Sequence, residues 1–159
     1  LWPERAPRDL LAAAREAAVH HAARIHERRY LILVDYERAV VRKRLWIVDT
    51  TSGATVLAAH VSHGIGSGDF HATRFDGGSG SGESLVGAFV TAEEYRGRWG
   101  RSMRVDGLED RNALCRKRAI VFHAQWPPLW SRGCFTTRRP VNERIIDLTR
   151  GGSFLYVRG

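Results

Sequence analysis

A cysteine and a histidine, the two residue types that together perform thiol acyl transfer, stand close in this sequence. Ser131-Arg132-Gly133-Cys134 follows Val121-Phe122-His123, which ends an apolar run. A thiol becomes a useful nucleophile when a neighbouring base takes its proton, and imidazole has a suitable pKa for that task. His123 precedes Cys134 by only eleven residues. We therefore predict that a short turn brings the imidazole and the sulfur within hydrogen-bond reach.

Gly133 allows the chain to turn so that backbone N–H groups near Cys134 face a developing oxyanion. From these residues alone, structural roles for the pair stay open, because free cysteines and strand-end histidines are often simply buried. A disulfide with Cys115 is a further alternative. If the segment Arg118 to His123 is extended, Cys115 lies roughly 20 Å from His123. A disulfide needs Cα atoms within about 7 Å, so it excludes the Cys134–His123 pair.

The composition is that of one globular domain with a basic surface. The 159 residues are 43% hydrophobic and 26% charged, and no stretch approaches the roughly 20 apolar residues of a membrane span. The formal net charge is +8, and only Lys43 and Lys117 among the 25 basic residues are lysines. This charge favours an anionic partner, either nucleic acid or a carboxylate-rich polymer. The arginines are scattered and form no nucleic-acid-binding motif, so nucleic acid is not expected as the partner.

Hydrophobic periodicity predicts a β-rich α+β domain with one long amino-terminal helix. That helix runs from Pro7 to about Arg28. The predicted strands are Tyr30–Tyr36, Leu45–Thr51, Thr55–Ser62, Leu85–Thr91, Arg101–Val105, Arg118–His123 and Phe154–Val157. A turn is expected at Ala92-Glu93-Glu94, and short helices are expected at Glu109–Cys115 and Asn142–Thr149. The glycine-rich segment from Gly64 to Glu83 is predicted as a long irregular loop, which is typical of functional or disordered segments.

These residues resemble the catalytic domain of the L,D-transpeptidases, the YkuD-type enzymes of bacterial peptidoglycan. The family signature is a histidine at a strand end, a variable gap and then Ser-His-Gly-Cys. The chain matches this signature at His123, Ser131, Gly133 and Cys134, and resembles a divergent murein branch at Ser62–Gly68, Ser84–Thr91 and Arg104–Glu109. The resemblance implies a mixed β-sandwich or barrel with an amino-terminal helix and short peripheral helices. It makes residues 1–159 a single catalytic domain, with a helical segment at 1–29 and the L,D-transpeptidase-like β domain at 30–159.

The resemblance also assigns roles to individual residues. It implies catalysis by Cys134, His123, Gly133 and Ser131, and substrate binding by Arg132, His63, Arg138 and Gly87. Arg132 stands where most relatives have histidine, and its guanidinium is suited to stabilising a thiolate or gripping a substrate carboxylate. The arginine usual two residues after the cysteine is replaced by Thr136, with Arg138 or Arg139 as the nearest substitutes. A structural role for His63, and a turn-capping role for Ser131, remain alternatives.

The activity implied by the resemblance is ping-pong acyl transfer between peptidoglycan stem peptides. Cys134 attacks the carbonyl that precedes a D-residue in the donor, and an amine of the acceptor then takes the acyl group. If water takes it instead, the same site is a carboxypeptidase or endopeptidase. A noncatalytic module that binds an anionic polymer or nucleic acid is the alternative from another class. No metal or organic cofactor is expected.

Such an enzyme acts in the periplasm or otherwise outside the cytoplasmic membrane. The chain opens at Leu1 and carries no signal peptide, so we interpret it as a processed or trimmed product.

Overall fold

The computed structural model of the chain describes residues 2–159. The helices are α1 (Arg8–His20) and α2 (Arg139–Thr149), with 3-10 turns at Ala22–Arg24, Ile65–Ser67 and Asp110–Asn112. The strands are β1 (Glu27–Asp35), β2 (Leu45–Asp49), β3 (Thr55–Ala59), β4 (His63–Gly64), β5 (Gly87–Gly97), β6 (Gly100–Gly107), β7 (Val121–Ala124), β8 (Trp130–Ser131), β9 (Phe135–Thr137) and β10 (Ser153–Arg158). The β-rich α+β class predicted from the sequence is confirmed.

Eight of these strands form one sheet in the order β3-β2-β1-β10-β5-β6-β7-β9. The pairs β1–β10 and β7–β9 are parallel, and the others are antiparallel. The sheet curls until its two end strands approach each other, because Ser62, just beyond β3, donates its N–H to the Thr136 carbonyl of β9. A small parallel pair, β4 with β8, lies beside this seam. The result is a nearly closed, barrel-like sheet.

The central strand β1 is buried on both faces, as its continuous apolar run predicts. Ile32 and Val34 face a core that α2 also enters. Leu31 and Leu33 face a second core, which α1 covers from the other side of the sheet. The amphipathic helix α1 thus shields one face of the sheet, while α2 lies within its curl. None of the helices in residues 2–159 is long and apolar enough to cross a membrane.

Two of the predicted boundaries are wrong for reasons of strand pairing. The helix ends at His20, well before Arg28, because the His26 and Glu27 N–H groups both donate to the Gly152 carbonyl and draw the chain into the sheet. The turn expected at Ala92-Glu93-Glu94 is instead an irregularity within β5, which continues to Gly97. A bulge of this kind interrupts the alternation of side chains without ending the strand.

A third difference bears directly on the site. The strand that carries His123 begins at Val121, because the chain from Cys115 to Ile120 turns and the Ile120 N–H donates to the Cys115 carbonyl at 3.1 Å. The extended chain on which the 20 Å separation of Cys115 from His123 depended is therefore absent. Ala119 lies in this turn with φ of +54°, a left-handed conformation that is uncommon for a residue other than glycine.

Candidate active site

The parallel pair β7–β9 brings the strand that carries His123 next to the strand that Cys134 directly precedes. Phe122 lies opposite Phe135, and His123 lies opposite Thr136. The rings of Phe122 and Phe135 stack in the core with centroids 4.9 Å apart. Because side chains alternate along a strand, His123 faces away from that core. Cys134 directly precedes β9, but the hydrogen bond predicted between thiol and imidazole is not formed in this structure, since the thiol bonds to the Ala119 carbonyl and the imidazole to the Ala124 carbonyl.

The His123 ring is held by its edge and by its face. Its Nδ1 lies 3.0 Å from the Ala124 carbonyl oxygen. Since a carbonyl only accepts, Nδ1 carries the proton and Nε2 keeps its lone pair. The ring of Trp99 stacks on the imidazole, with centroids 5.0 Å apart and planes 12° apart. Burial lowers the pKa of His123, although the hydrogen bond to Ala124 acts in the opposite direction.

The Cys134 thiol lies against the turn that precedes β7. Its Sγ donates to the Ala119 carbonyl at 3.5 Å, so the left-handed residue presents its carbonyl to the sulfur. Burial raises the pKa of the Cys134 thiol, while a hydrogen bond from the Val121 backbone and the charge of Arg118 lower it. With the pKa of the thiol raised and that of His123 lowered, the resting pair is a neutral thiol and a neutral imidazole.

The turn before Cys134 is closed by Ser131. Its hydroxyl donates to the Cys134 carbonyl at 2.7 Å and accepts from the Gly133 N–H at 3.1 Å. Gly133 has φ of +115°, and a Cβ there would lie 2.8 Å from the Glu83 carbonyl oxygen. A side chain at this position would therefore strain the backbone and press on the glycine-rich loop. Ser131 caps the turn and does not contact His123.

Ser62 fixes the free edge of β9. Its hydroxyl donates to the Cys134 carbonyl and accepts from the Thr136 N–H, both at 3.1 Å. Together with the backbone bond from Ser62 to Thr136, these contacts replace the strand that the sheet lacks at its end. The Tyr36 hydroxyl in turn donates to the Ser62 carbonyl at 3.0 Å.

His63 is fully buried, so the structure does not bring its ring to an open site. Its Nδ1 accepts from the buried Arg44 guanidinium at 2.9 Å, and its Nε2 donates to the Gly68 carbonyl at 2.8 Å. Both ring nitrogens are therefore occupied. Arg44 also donates twice to the Val61 carbonyl and lies over the Tyr36 ring, 5.0 Å from its centroid. This network supports the chain on both sides of Ser62.

Arg132 is exposed and borders a basic cavity beside the Cys134 turn. The cavity has a volume of about 540 Å³. It is lined by Ile65, Gly66, the glycine-rich segment 79–82, Lys117, Arg118 and Arg132. Three cationic side chains and no carboxylate contribute to this lining, which suits an anionic group.

Arg118, which the sequence analysis did not select, binds three backbone carbonyls. Its guanidinium donates to Asp76, Glu83 and Arg132 at 3.2, 2.8 and 3.4 Å, respectively. It thereby joins the glycine-rich loop to the turn that precedes Cys134. No short motif signals this role, because its partners are up to 42 residues away in the sequence.

The two other predicted substrate-binding residues lie apart from the thiol. Arg138 is exposed at the start of α2 and borders an apolar groove of about 540 Å³ with Val41, Trp126 and Leu129. Gly87 is buried at the start of β5 with φ of +102°, and the Glu109 carboxylate occupies the space that a Cβ would need. Close approach of another chain segment therefore explains this glycine.

Both cysteines are free, so the disulfide alternative does not apply in this structure. Cys115 is fully buried, and its thiol donates to the Val105 carbonyl at 3.4 Å. Burial raises the pKa of Cys115 to about 12, which makes it a poor nucleophile. Cys134 is the only half-buried thiol of the two.

Comparison with solved structures identifies the fold. The structure of Bd1075 from Bdellovibrio bacteriovorus aligns with a TM-score of 0.54 and 17% identity, over 82% of this chain and 48% of that one. An L,D-transpeptidase from Mycobacterium smegmatis aligns with a TM-score of 0.53 and 11% identity, over 82% of this chain and 59% of that one. An L,D-transpeptidase from Stackebrandtia nassauensis aligns with a TM-score of 0.54 and 14% identity, over 97% of this chain and 68% of that one. The fold of the chain is thus that of solved L,D-transpeptidases, and the chain spans about half to two-thirds of their length.

The family follows from the sequence itself. Residues 4–158 match the profile of the L,D-transpeptidase catalytic domain, of the YkuD type. The chain belongs to this family, as the resemblance of its motifs predicts. No curated protein matches the chain in sequence.

Proposed function

We propose that this chain is a peptidoglycan L,D-transpeptidase in which Cys134 is the nucleophile and His123 the general base. The observation that supports the proposal is the pairing of β7, which carries His123, with β9, which Cys134 directly precedes. Membership of the family and the fold of the neighbours support the same reaction class. The substrates are stem peptides of the cell wall, and the enzyme works in the periplasm or otherwise outside the cytoplasmic membrane.

In the first half-reaction, His123 Nε2 takes the proton from the Cys134 thiol. The thiol must first exchange its bond to the Ala119 carbonyl for one to Nε2. The thiolate then attacks the donor carbonyl, and the imidazolium returns the proton to the leaving D-amino acid. The hydrogen bond from Nδ1 to Ala124 leaves Nε2 unprotonated before it takes the thiol proton and stabilises the imidazolium that then forms.

The oxyanion of the tetrahedral intermediate needs backbone donors. The Gly133 N–H already donates to Ser131, so we assign this task to the Cys134 N–H. Ser131 and Gly133 then act by fixing the turn that aims this group. One such donor contributes about 3 kcal/mol to the transition state in acyl-transfer enzymes.

The basic cavity gives the donor peptide a place beside Cys134. We assign Arg132 to a carboxylate of the donor, with Lys117 on the same cavity wall. Exposed Arg138 is available to a more distant part of the substrate. His63 and Gly87 act indirectly, by holding the segments that border the site.

Mass spectrometry of purified muropeptides tests this proposal. The parent chain should form cross-linked dimers or exchange the terminal D-amino acid, and Cys134→Ala should do neither. Cys115→Ala is the matched control, because it removes the other thiol, and it should retain activity. Shortened stem peptides without dimers would show that the enzyme hydrolyses the acyl-enzyme and does not transfer the acyl group to an amine. If the parent leaves every muropeptide unchanged, acyl transfer is rejected and binding to the wall polymer becomes the next test.

A further inference from the structure

Trp99 lies at the tip of the β5–β6 hairpin, which folds over the candidate base. The tip is a two-residue turn, Arg98-Trp99, between the paired Gly97 and Gly100. The indole stacks almost parallel on the His123 ring, as described above. Trp99 is nevertheless 50% exposed, whereas His123 is only 3% exposed. A large apolar side chain thus lies between the imidazole and solvent.

The Trp99 ring restrains the imidazole at its face, where the hydrogen bond to Ala124 does not act. The bond to Ala124 fixes one nitrogen but leaves the ring free to pivot about it. Stacking on the face of the ring removes that freedom, because parallel rings lose contact when one of them tilts. Together the two contacts fix the direction in which Nε2 points.

The indole also borders a polar hollow that His123 does not line. Trp99 forms part of the wall of a cavity of about 260 Å³. Its lining includes the charged residues Arg96, Arg101, Arg139 and Glu143, together with Ala124 and Asn142. Without the indole, water in this hollow would reach the imidazole, and water stabilises the charged form.

Few charges face His123 directly. Arg98 lies over the Trp99 ring, 5.1 Å from its centroid. Arg101 from β6 is paired with Glu94 and Asp147. The titratable residues that flank β9, the strand paired with β7, are Cys134 and Arg138. Arg96, Arg139 and Glu143 line the hollow that Trp99 also borders.

We propose that Trp99 is a positioning residue, which holds His123 in the orientation needed by Cys134 and keeps water from its ring. This proposal rests on the assignment of His123 as the base. Trp99 acts through His123 and need not touch the substrate. Its loss should therefore lower kcat, roughly tenfold to a hundredfold as expected for a misplaced catalytic group, and leave KM unchanged.

An NMR titration tests the positioning independently of turnover. The imidazole signal of His123, assigned with His123→Gln, should titrate below the ordinary 6.5 in the parent chain. In Trp99→Ala the midpoint should move up towards 6.5, and in Trp99→Phe it should lie between the two. Trp2→Ala is the matched control, since Trp2 is 96% exposed, and it should leave the midpoint unchanged.

The outcomes separate the two proposals. An unchanged His123 midpoint in folded Trp99→Ala, or the same loss of kcat in Trp2→Ala, overturns the role of Trp99. If Trp99→Ala does not fold, Trp99→Phe decides by the same criteria. If the midpoint shifts as expected but the parent chain leaves muropeptides unchanged, Trp99 still positions His123, and the proposed transpeptidation fails instead.

Discussion

Arg118 brings a positive charge and three hydrogen bonds to the turn that precedes Cys134. Its three partners are carbonyl oxygens, so no carboxylate among them neutralises the guanidinium. A positive charge near a thiol favours the thiolate. Arg118 is therefore expected to act on Cys134 both through its charge and through the turn that it holds.

Substitutions at Arg118 separate these two effects. Arg118→Gln removes the charge and should raise the pKa of Cys134, so alkylation by iodoacetamide at pH 7 should be several-fold slower. Arg118→Lys keeps the positive charge, so the alkylation rate should stay closer to that of the parent. It loses the guanidinium hydrogen bonds to the three carbonyls, so the free energy of unfolding should fall. Lys117→Gln, a charge change on the same cavity wall, is the control. Equal alkylation rates in all variants would contradict an electrostatic role for Arg118.

At the scale of elements, the candidate site depends on an end strand that has only one strand neighbour. On its open side, β9 is held by Ser62, which binds both the Cys134 carbonyl and the Thr136 N–H. Ser131 supplies a second donor to the same Cys134 carbonyl. Ser62 is fully buried, whereas Ser131 is half-buried and accessible to water. The two hydroxyls should therefore differ in their effect on stability.

Alanine variants of these serines test that difference by urea unfolding. In Ser62→Ala the buried Thr136 N–H loses its acceptor, which should lower the free energy of unfolding by about 1–3 kcal/mol. In Ser131→Ala water can replace the lost partner, so stability should fall less, while transfer activity falls because the Gly133 turn is released. Equal losses of stability would show that Ser62 does not replace a strand neighbour for β9.

Most of the elements and the turn before Cys134 could be predicted because local sequence patterns specify them. The apolar run in β1, the glycine in the Cys134 turn and the histidine near the end of β7 each show in a few consecutive residues. Contacts between distant segments could not be predicted in this way. Trp99, in the β5–β6 hairpin, stacks on the His123 ring. Arg44, 19 residues before His63, is hydrogen-bonded to the His63 ring. The local sequence around His63 is equally compatible with an accessible histidine. Only the folded structure shows that His63 has a structural role.

For the whole molecule, the buried histidines link stability to acid. Burial lowers the pKa of both His63 and His123, and Arg44 lowers that of His63 further. As the pH falls below 6.5, the ordinary pKa of histidine, these two histidines become protonated in the unfolded chain before they do so in the folded chain. The associated stability is complete above about pH 6.5 and is lost as the pH falls towards the lower pKa values of the folded state.

We therefore expect the free energy of unfolding to fall between pH 7 and pH 5, with a slope of up to about 1.4 kcal/mol per pH unit for each linked proton. The carboxyl groups that are shifted have ordinary values of 3.8 to 4.5 and lowered pKa values in the folded state, so they act at lower pH. His63→Gln should reduce the slope in this window, because it removes one of the two buried histidines whose pKa is lowered in the folded chain. Urea unfolding at several pH values measures the slopes. If His63→Gln and the parent have the same slope, the protonation of His63 is not coupled to folding. The pKa of His63 would then be the same in the folded and the unfolded chain.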